Sequence, residues 1–265
     1  MKAETLFEVR DRVAIVTGAA SGLGLAMAEV MAANGARVTL ADIDTAGLAR
    51  AVERLSRDGG EVAAEVVDVA DLARLRAMID AVAARHSGRL DVVFANCGIS
   101  AGPGLLVPEG RMPALDMEKW NAVLHVNLTS VFETLRAAAR HMQRQKSGRI
   151  IVTASIAGLR AERMVGYAYT ATKAALINLV RQAALELAPD NVLINAIAPG
   201  PFLTNIAGGR LHRDPDVVRQ FEQMVPLGRL ARPDEIKGLA LLLASPASSY
   251  ITGTVIPIDG GAMAG

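Results

Sequence analysis

A doubly wound α/β fold, one parallel seven-stranded sheet with helices on both faces, is the architecture this sequence predicts. Three observations carry it. Short apolar runs rich in Val and Ile alternate with longer stretches of helical composition, the order that repeated strand–helix units produce. Those runs are continuously apolar rather than alternating, as expected of strands covered by helices on both faces. The first run passes directly into a glycine-rich turn and a helix, which is how a βαβ unit opens.

The elements follow in order. "VAIVT" (13–17) is the first strand, and the helix after its glycine turn extends to about Asn34. "RVTLAD" (37–42) is the second strand, followed by a helix through Arg57. "EVAAEVVDV" (61–69) contains the third, with a helix to about His86. "LDVVFAN" (90–96), "GRIIVTAS" (148–155), "NVLINAIAP" (191–199) and "TVIPIDG" (254–260) supply the remaining four. A long helix is expected from about Met117 to Gln145, and another from Tyr167 to the approach of Pro189. Segments 98–116 and 199–232, rich in Gly, Pro and Arg, follow strand C-terminal ends, where open α/β sheets bind ligands. They are expected to wall a substrate site.

Bulk properties narrow the class. At 265 residues and 51% apolar, the chain suits a single domain over 1–265. A formal net charge of +1 gives no long-range field for nucleic acid or an anionic membrane. One cysteine forms no internal disulfide, which fits a reducing compartment. The N-terminus has no apolar signal core, and no apolar run nears the ~20 residues of a membrane span. The expectation is a cytoplasmic protein without membrane or nucleic-acid partners.

The turn "TGAASGLG" places Gly18, Gly22 and Gly24 between the first strand and its helix. Backbone without side chains can approach a pyrophosphate there, and the helix's free N–H groups favour the anion. Glycines also simply make tight turns, but strand, triple glycine and helix together favour a nucleotide. The spacing Gly-x3-Gly-x-Gly differs from GxGxxG and lacks the Gly-Lys-Ser/Thr ending of an NTPase loop. Asp42 ends the second strand, placed for ribose hydroxyls, whereas Asp44 is better placed to cap the next helix.

"GYAYTATKAAL" (166–176) holds two of the three tyrosines. On a helix Tyr169 and Lys173, four apart, share a face, and Tyr167 lies well round from the lysine. A lone YxxxK is more often an ordinary amphipathic pattern, so its surroundings must decide.

With these pieces the chain closely resembles the short-chain dehydrogenase/reductase family, from about residue 10 to 262. "TGAASGLG" matches that family's TGxxxGxG, and "ANCG" (95–98) is similar to its NNAG. Asn127 in "HVNLTS", Ser155, and Tyr169 with Lys173 match its catalytic set. "NAIAPG" followed by Thr204 matches its N-x3-PG-x3-T signature. The resemblance implies an NAD-dependent oxidoreductase interconverting a secondary alcohol and a ketone, with Tyr169 as acid/base and Lys173 lowering its pKa. It implies that Ser155 holds the substrate oxygen and that Asn127 positions a water for a proton relay. The implied cofactor contacts are Gly18, Ser21, Gly22, Leu23, Gly24, Asp42, Ile43, Asp68, Val69, Asn96, Gly98, Tyr169, Lys173, Pro199, Gly200, Phe202 and Thr204. A homotetramer is expected, partly by resemblance and partly because the Ala- and Leu-rich helices suit packing across a two-fold axis.

Three departures stand out. Ala95 removes an amide from the central turn; Cys97 reads as a small buried apolar residue; Phe202, where the family has a small aliphatic residue, is expected to narrow the substrate pocket. Two other functions compete: a 3-oxoacyl-thioester reductase, and a non-catalytic cofactor-sensing protein. The turn and "LADID" lack the basic residue such reductases use for NADPH, and sensors usually lose the Tyr or Lys kept here. The four histidines have no metal-ligand companions, so no metal site is expected. Arg160 and Arg163 follow Ser155 closely and read as surface residues; Tyr167 either lines the pocket or packs at the helix start. Segment 201–225 is expected to form a lid hinged at Gly208 and Gly209, with a short helix capped by Asp214.

Overall fold

The computed structural model describes residues 2–206 and 209–264. Its seven strands are β1 (Val13–Thr17), β2 (Arg37–Asp42), β3 (Glu61–Val66), β4 (Val92–Ala95), β5 (Gly148–Thr153), β6 (Val192–Pro199) and β7 (Val255–Ile258). They form one sheet in the order β3-β2-β1-β4-β5-β6-β7, every pair parallel. The chain winds outward from β1 to β3, returns, and continues from β4 on β1's other side. The crevice at the C-terminal ends of β1 and β4 is therefore the switch point of the fold.

The helices are α1 (Ala3–Leu6), α2 (Gly22–Ala33), α3 (Thr45–Arg57), α4 (Leu72–Arg85), α5 (Met117–Leu124), α6 (Ser130–Gln145), α7 (Tyr167–Leu187), α8 (Arg210–Arg213), α9 (Pro215–Glu222) and α10 (Lys237–Ala244). Alternation along the strands sends Val13 and Ile15 of β1 to one core, with Val131 of α6 and Leu176 of α7. Ala14 and Val16 go to the other, with Met27 of α2, Leu48 of α3 and Leu243 of α10. Both faces of each central strand are thus apolar, which is why the sequence shows unbroken runs. The two edge strands depart from that expectation. β3 is mostly exposed and β7 about half-buried, because an edge strand lacks a neighbour on one side and its covering helices reach it less fully.

A second departure concerns the long helix. Met117–Gln145 is not continuous α-helix: residues His125–Thr129 form a π-turn between α5 and α6, and Asn127 sits within it. Further on, α9 forms as expected, with Pro215 in its first turn and the Asp214 carboxylate accepting from the Asp216 and Val217 amides. Of the two expected hinge glycines, Gly208 lies outside the described residues, while Gly209 adopts φ +75°. Among the described residues no helix is long and apolar enough to cross a membrane.

Asp44 caps α3: its carboxylate accepts from the Gly47 amide at 2.9 Å. Losing a cap of this kind costs about 1 kcal/mol. Asp44→Ala should therefore lower the melting temperature by about 2–4 °C, read by thermal unfolding; an unchanged midpoint would mean the cap contributes nothing.

Candidate active site

The turn after β1 is built for close approach. Gly18 and Gly22 adopt φ +68° and +57°, where side chains are strained. A Cβ on Gly24 would run into the Gly18 carbonyl, so strand end and helix start touch backbone to backbone. Ser21 precedes α2 with no side-chain cap, leaving the first-turn amides of the helix without a side-chain acceptor. Across the gap, the Thr204 methyl stands 3.5 Å from where a Gly22 Cβ would lie. Glycine backbone, uncapped amides and a facing threonine fit a nucleotide pyrophosphate. At the end of β2, Asp42 accepts from the Ala20 amide and from the Asp44 amide, both at 3.0 Å, one on each oxygen. Since Asp44 is the cap of α3, Asp42 is left partly exposed with lone pairs to spare.

The strand ends beside this turn are tied by one side chain. Asn96 donates to the Thr17 carbonyl at 3.0 Å and to the Gly18 carbonyl at 3.4 Å, and accepts from the Thr153 hydroxyl at 2.9 Å. The Thr17 hydroxyl in turn accepts from the Asn96 and Cys97 amides. From Thr153 the connection continues: Lys173 donates to its carbonyl at 2.6 Å. The lysine is buried, 2% exposed, and its ammonium lies 5.4 Å from the Tyr169 ring centroid. That is the face-sharing the four-residue spacing requires. Ser155, buried beside them, accepts from the Ala157 amide at 3.1 Å. A Cβ on Gly98 would lie 3.3 Å from Asn127 Oδ1 and 3.7 Å from Lys173 Nζ, so amide and ammonium face one point.

Burial dominates the proton affinities. It lowers the Lys173 pKa to about 8, opposed by the nearby Cys97. It raises the Tyr169 phenol, opposed by a hydrogen bond from Ser155. The expected lowering of the phenol is therefore not the net direction: desolvation of the phenolate sets it. Burial also raises the Cys97 thiol to about 11, helped by Asp42, which keeps it protonated and a poor nucleophile near neutrality.

Against known proteins, a family model described as enoyl-(acyl carrier protein) reductase matches residues 18–263. The chain is 38% identical to the cis-4-hydroxycyclohexanecarboxylate dehydrogenase of Sinomonas cyclohexanicum, over 95% of this chain and 96% of that one. It is 35% identical to a 3-oxoacyl-(acyl-carrier-protein) reductase of Thermotoga maritima, covering 96% and 98%. The chain belongs to the short-chain dehydrogenase/reductase family. Among solved structures of the family, a gluconate 5-dehydrogenase of Burkholderia cenocepacia in complex with NADP and tartrate superposes with a TM-score of 0.90. It is 31% identical and covers the whole of both chains. As a short-chain dehydrogenase/reductase, the chain is an oxidoreductase with a nicotinamide cofactor.

Within this short-chain dehydrogenase/reductase, several side chains are used differently from expectation. Asn96 points inward to the strand ends and its amide binds Thr17, so only its backbone carbonyl is left for a cofactor. Asn127 accepts from the Ile99 amide at 2.8 Å and donates to the Ile99 carbonyl at 2.9 Å. Its first task is to fix the entrance of segment 98–116, and one N–H and one lone pair remain for a water. Phe202 is 4% exposed and packs into the core with Met27 and Leu243, so its ring does not narrow the pocket. Ala95 is buried in β4 and leaves no slack turn, because Asn96 makes the ties. Arg160 is no free surface arginine; it pairs with Glu162 at 2.7 Å and donates to the Ala262 carbonyl, holding the C-terminal segment. Arg163 is exposed and Tyr167 partly buried at the first residue of α7. Leu23, Val69 and Pro199 are at least partly buried about the crevice, Ile43 and Asp68 exposed at its far end, and Gly200 packs against Asp259. His125 bonds the Ala70 carbonyl and His141 bonds Asp80; among the described residues no cluster able to hold a metal is gathered. Thr17 opens the "TGAASGLG" motif without its tie to Asn96 being readable there, and Thr153 belongs to no motif. The only mark of Thr153 in the sequence is a hydroxyl ending an apolar strand.

Proposed function

We propose that the chain is an NAD-dependent dehydrogenase interconverting a secondary alcohol and a ketone, with Tyr169 as the acid/base. The observation that carries this reading is the convergence of Ser155, Tyr169 and Lys173 beside an uncapped glycine turn. Gly18, Gly22, Gly24 and the first amides of α2 would hold the pyrophosphate, Asp42 the adenosine ribose, and Lys173 the nicotinamide ribose. When bound, the nicotinamide supplies hydride transfer. The protein supplies the proton chemistry. Ser155 spends a lone pair on the Ala157 amide, and its O–H, which lies against the Tyr169 phenol, would turn to donate to the substrate oxygen. Tyr169 takes the alcohol proton during oxidation and returns it during reduction, aided by the Lys173 charge. The free N–H of Asn127 holds a water that links Lys173 to solvent.

A 3-oxoacyl-thioester substrate is the second reading, favoured by the Thermotoga relative. Turnover of a panel of ketones, sugar ketones and 3-oxoacyl thioesters separates the two.

The acid/base assignment predicts that Tyr169→Phe loses more than tenfold in kcat, about 1.4 kcal/mol of barrier or more, while NADH affinity stays within twofold. Oxidation needs the deprotonated phenol, so its kcat/KM should rise with pH; reduction needs the protonated form and should fall through the same group. Because burial raises that group, the transition should lie on the alkaline side of neutrality. A pH-independent rate in both directions would rule Tyr169 out as the acid/base.

Cofactor choice rests on Asp42. A 2′-phosphate there would meet a carboxylate, and the glycine turn offers only Ala19, Ala20 and Ser21. Arg37, at the start of β2, is committed to Asp11 and Glu61. NAD should be preferred over NADP at least tenfold in kcat/KM, and Asp42→Ala should narrow the ratio from both ends. Equal use by the wild type would refute this, as would an unchanged ratio in the variant.

A homotetramer belongs to the same reading. Phe132 on α6 is 49% exposed and Leu185 on α7 is 76% exposed, apolar surface on the two helices expected to pack between subunits. Light scattering at micromolar concentration should give about four chain masses; a monomer would overturn the assignment.

A further inference from the structure

Segment 98–116 is not a loose wall. Pro103 forms an antiparallel bridge with Val165, setting residues 101–104 against 163–166. A Cβ on Gly104 would overlap the Arg163 carbonyl and stand 2.5 Å from the Met164 carbonyl carbon and 2.6 Å from the Val165 nitrogen. On the other side, a Cβ on Gly110 would overlap the Gly104 carbonyl and stand 2.7 Å from that of Pro103. Gly166 completes the set, its missing Cβ falling 2.9 Å from the Ala101 carbonyl oxygen and 3.0 Å from the Ala101 Cβ. None of these three glycines has a left-handed φ, so close approach alone explains them. Three layers of bare backbone are thus stacked: residues 108–111 on 103–104 on 163–166.

The bottom layer runs into catalytic ground. Gly166 is the N-cap of α7, its carbonyl accepts from the Thr170 amide at 3.2 Å, and Tyr169 lies in that first turn. One turn further, Lys173 is anchored separately by the Thr153 carbonyl and by Gly158, whose Cβ would come within 2.6 Å of the Lys173 carbonyl oxygen. Pressure on the stack therefore moves the tyrosine relative to a lysine that stays fixed.

We infer that Gly104 and Gly110, which touch no reacting group, are positioning residues that set the Tyr169 hydroxyl against Ser155 and Lys173 through the first turn of α7. The inference rests on the proposed acid/base role of Tyr169. Its test is the kinetics of Gly104→Ala and Gly110→Ala with cyclohexanol, or whichever secondary alcohol of a panel the wild type oxidises fastest. Per folded molecule, kcat should fall at least tenfold and the alkaline limb of the oxidation profile should shift, while NADH affinity stays within twofold. Gly238→Ala, at a site with open space around it in α10, should do nothing. If Gly104→Ala does not fold, Gly166→Ala offers a milder clash, and adding Ala101→Gly should recover at least threefold of its lost kcat. Variants with a lower melting temperature but unchanged kcat per folded molecule and an unchanged pH limb would overturn the inference. Should the wild type turn over no alcohol or ketone, the redox reading fails instead. The stack is then judged by amide exchange at Ala168–Thr170: at least tenfold faster exchange in both variants supports it, and unchanged exchange refutes it.

Discussion

Three parallel strands must part at their C-terminal ends for a ligand to enter between their loops, and parting strands lose partners for their last polar groups. The Asn96 amide resolves this conflict. It takes the carbonyls leaving β1 and the hydroxyl ending β5 while its own backbone amide binds Thr17. A side-chain amide has just enough donors and acceptors to do so. Everything functional hangs from that tie: the glycine turn starts at Gly18, Ser155 follows β5 by two residues, and Lys173 holds the Thr153 carbonyl.

The lysine illustrates how packing becomes chemistry. An ammonium in water is a weak influence on a neighbour, because solvent screens it. Buried under α7, with a single carbonyl as its hydrogen-bond partner, it loses part of its own proton affinity and gains reach over whatever charge develops beside it. The same burial raises the phenol, so the site is held at rest in its neutral, protonated tyrosine form.

Much of this was legible in the sequence because it is local. Tyr169 facing Lys173 follows from helix periodicity, and the division between Asp42 and Asp44 follows from which residue ends a strand and which precedes a helix. The glycine turn is read from adjacency alone. What escaped reading depends on directions set by distant segments. Nothing in "ANCG" says that Asn96 turns inward, since its partners come from β1 and β5. Phe202 looks like a pocket residue until the core beneath α2 and α10 is seen to accept it. The exposure of β3 and β7 follows from strand order, which no single run reveals.

The π-turn at His125–Thr129 carries a consequence for how this chain tolerates change in length. A π-turn holds one residue more than the α-helix it interrupts. Deleting one residue there would regularise the helix and improve its local hydrogen bonding. The flanks would keep nearly the same phase, because the extra residue is absorbed within the turn, but the bulged backbone that carries Asn127 would be lost. α5 and α6 could then keep their packing, but Asn127 would be turned from Ile99. Shortening that looks like repair to the helix would unfasten the entrance of segment 98–116, so the surplus residue serves to aim Asn127.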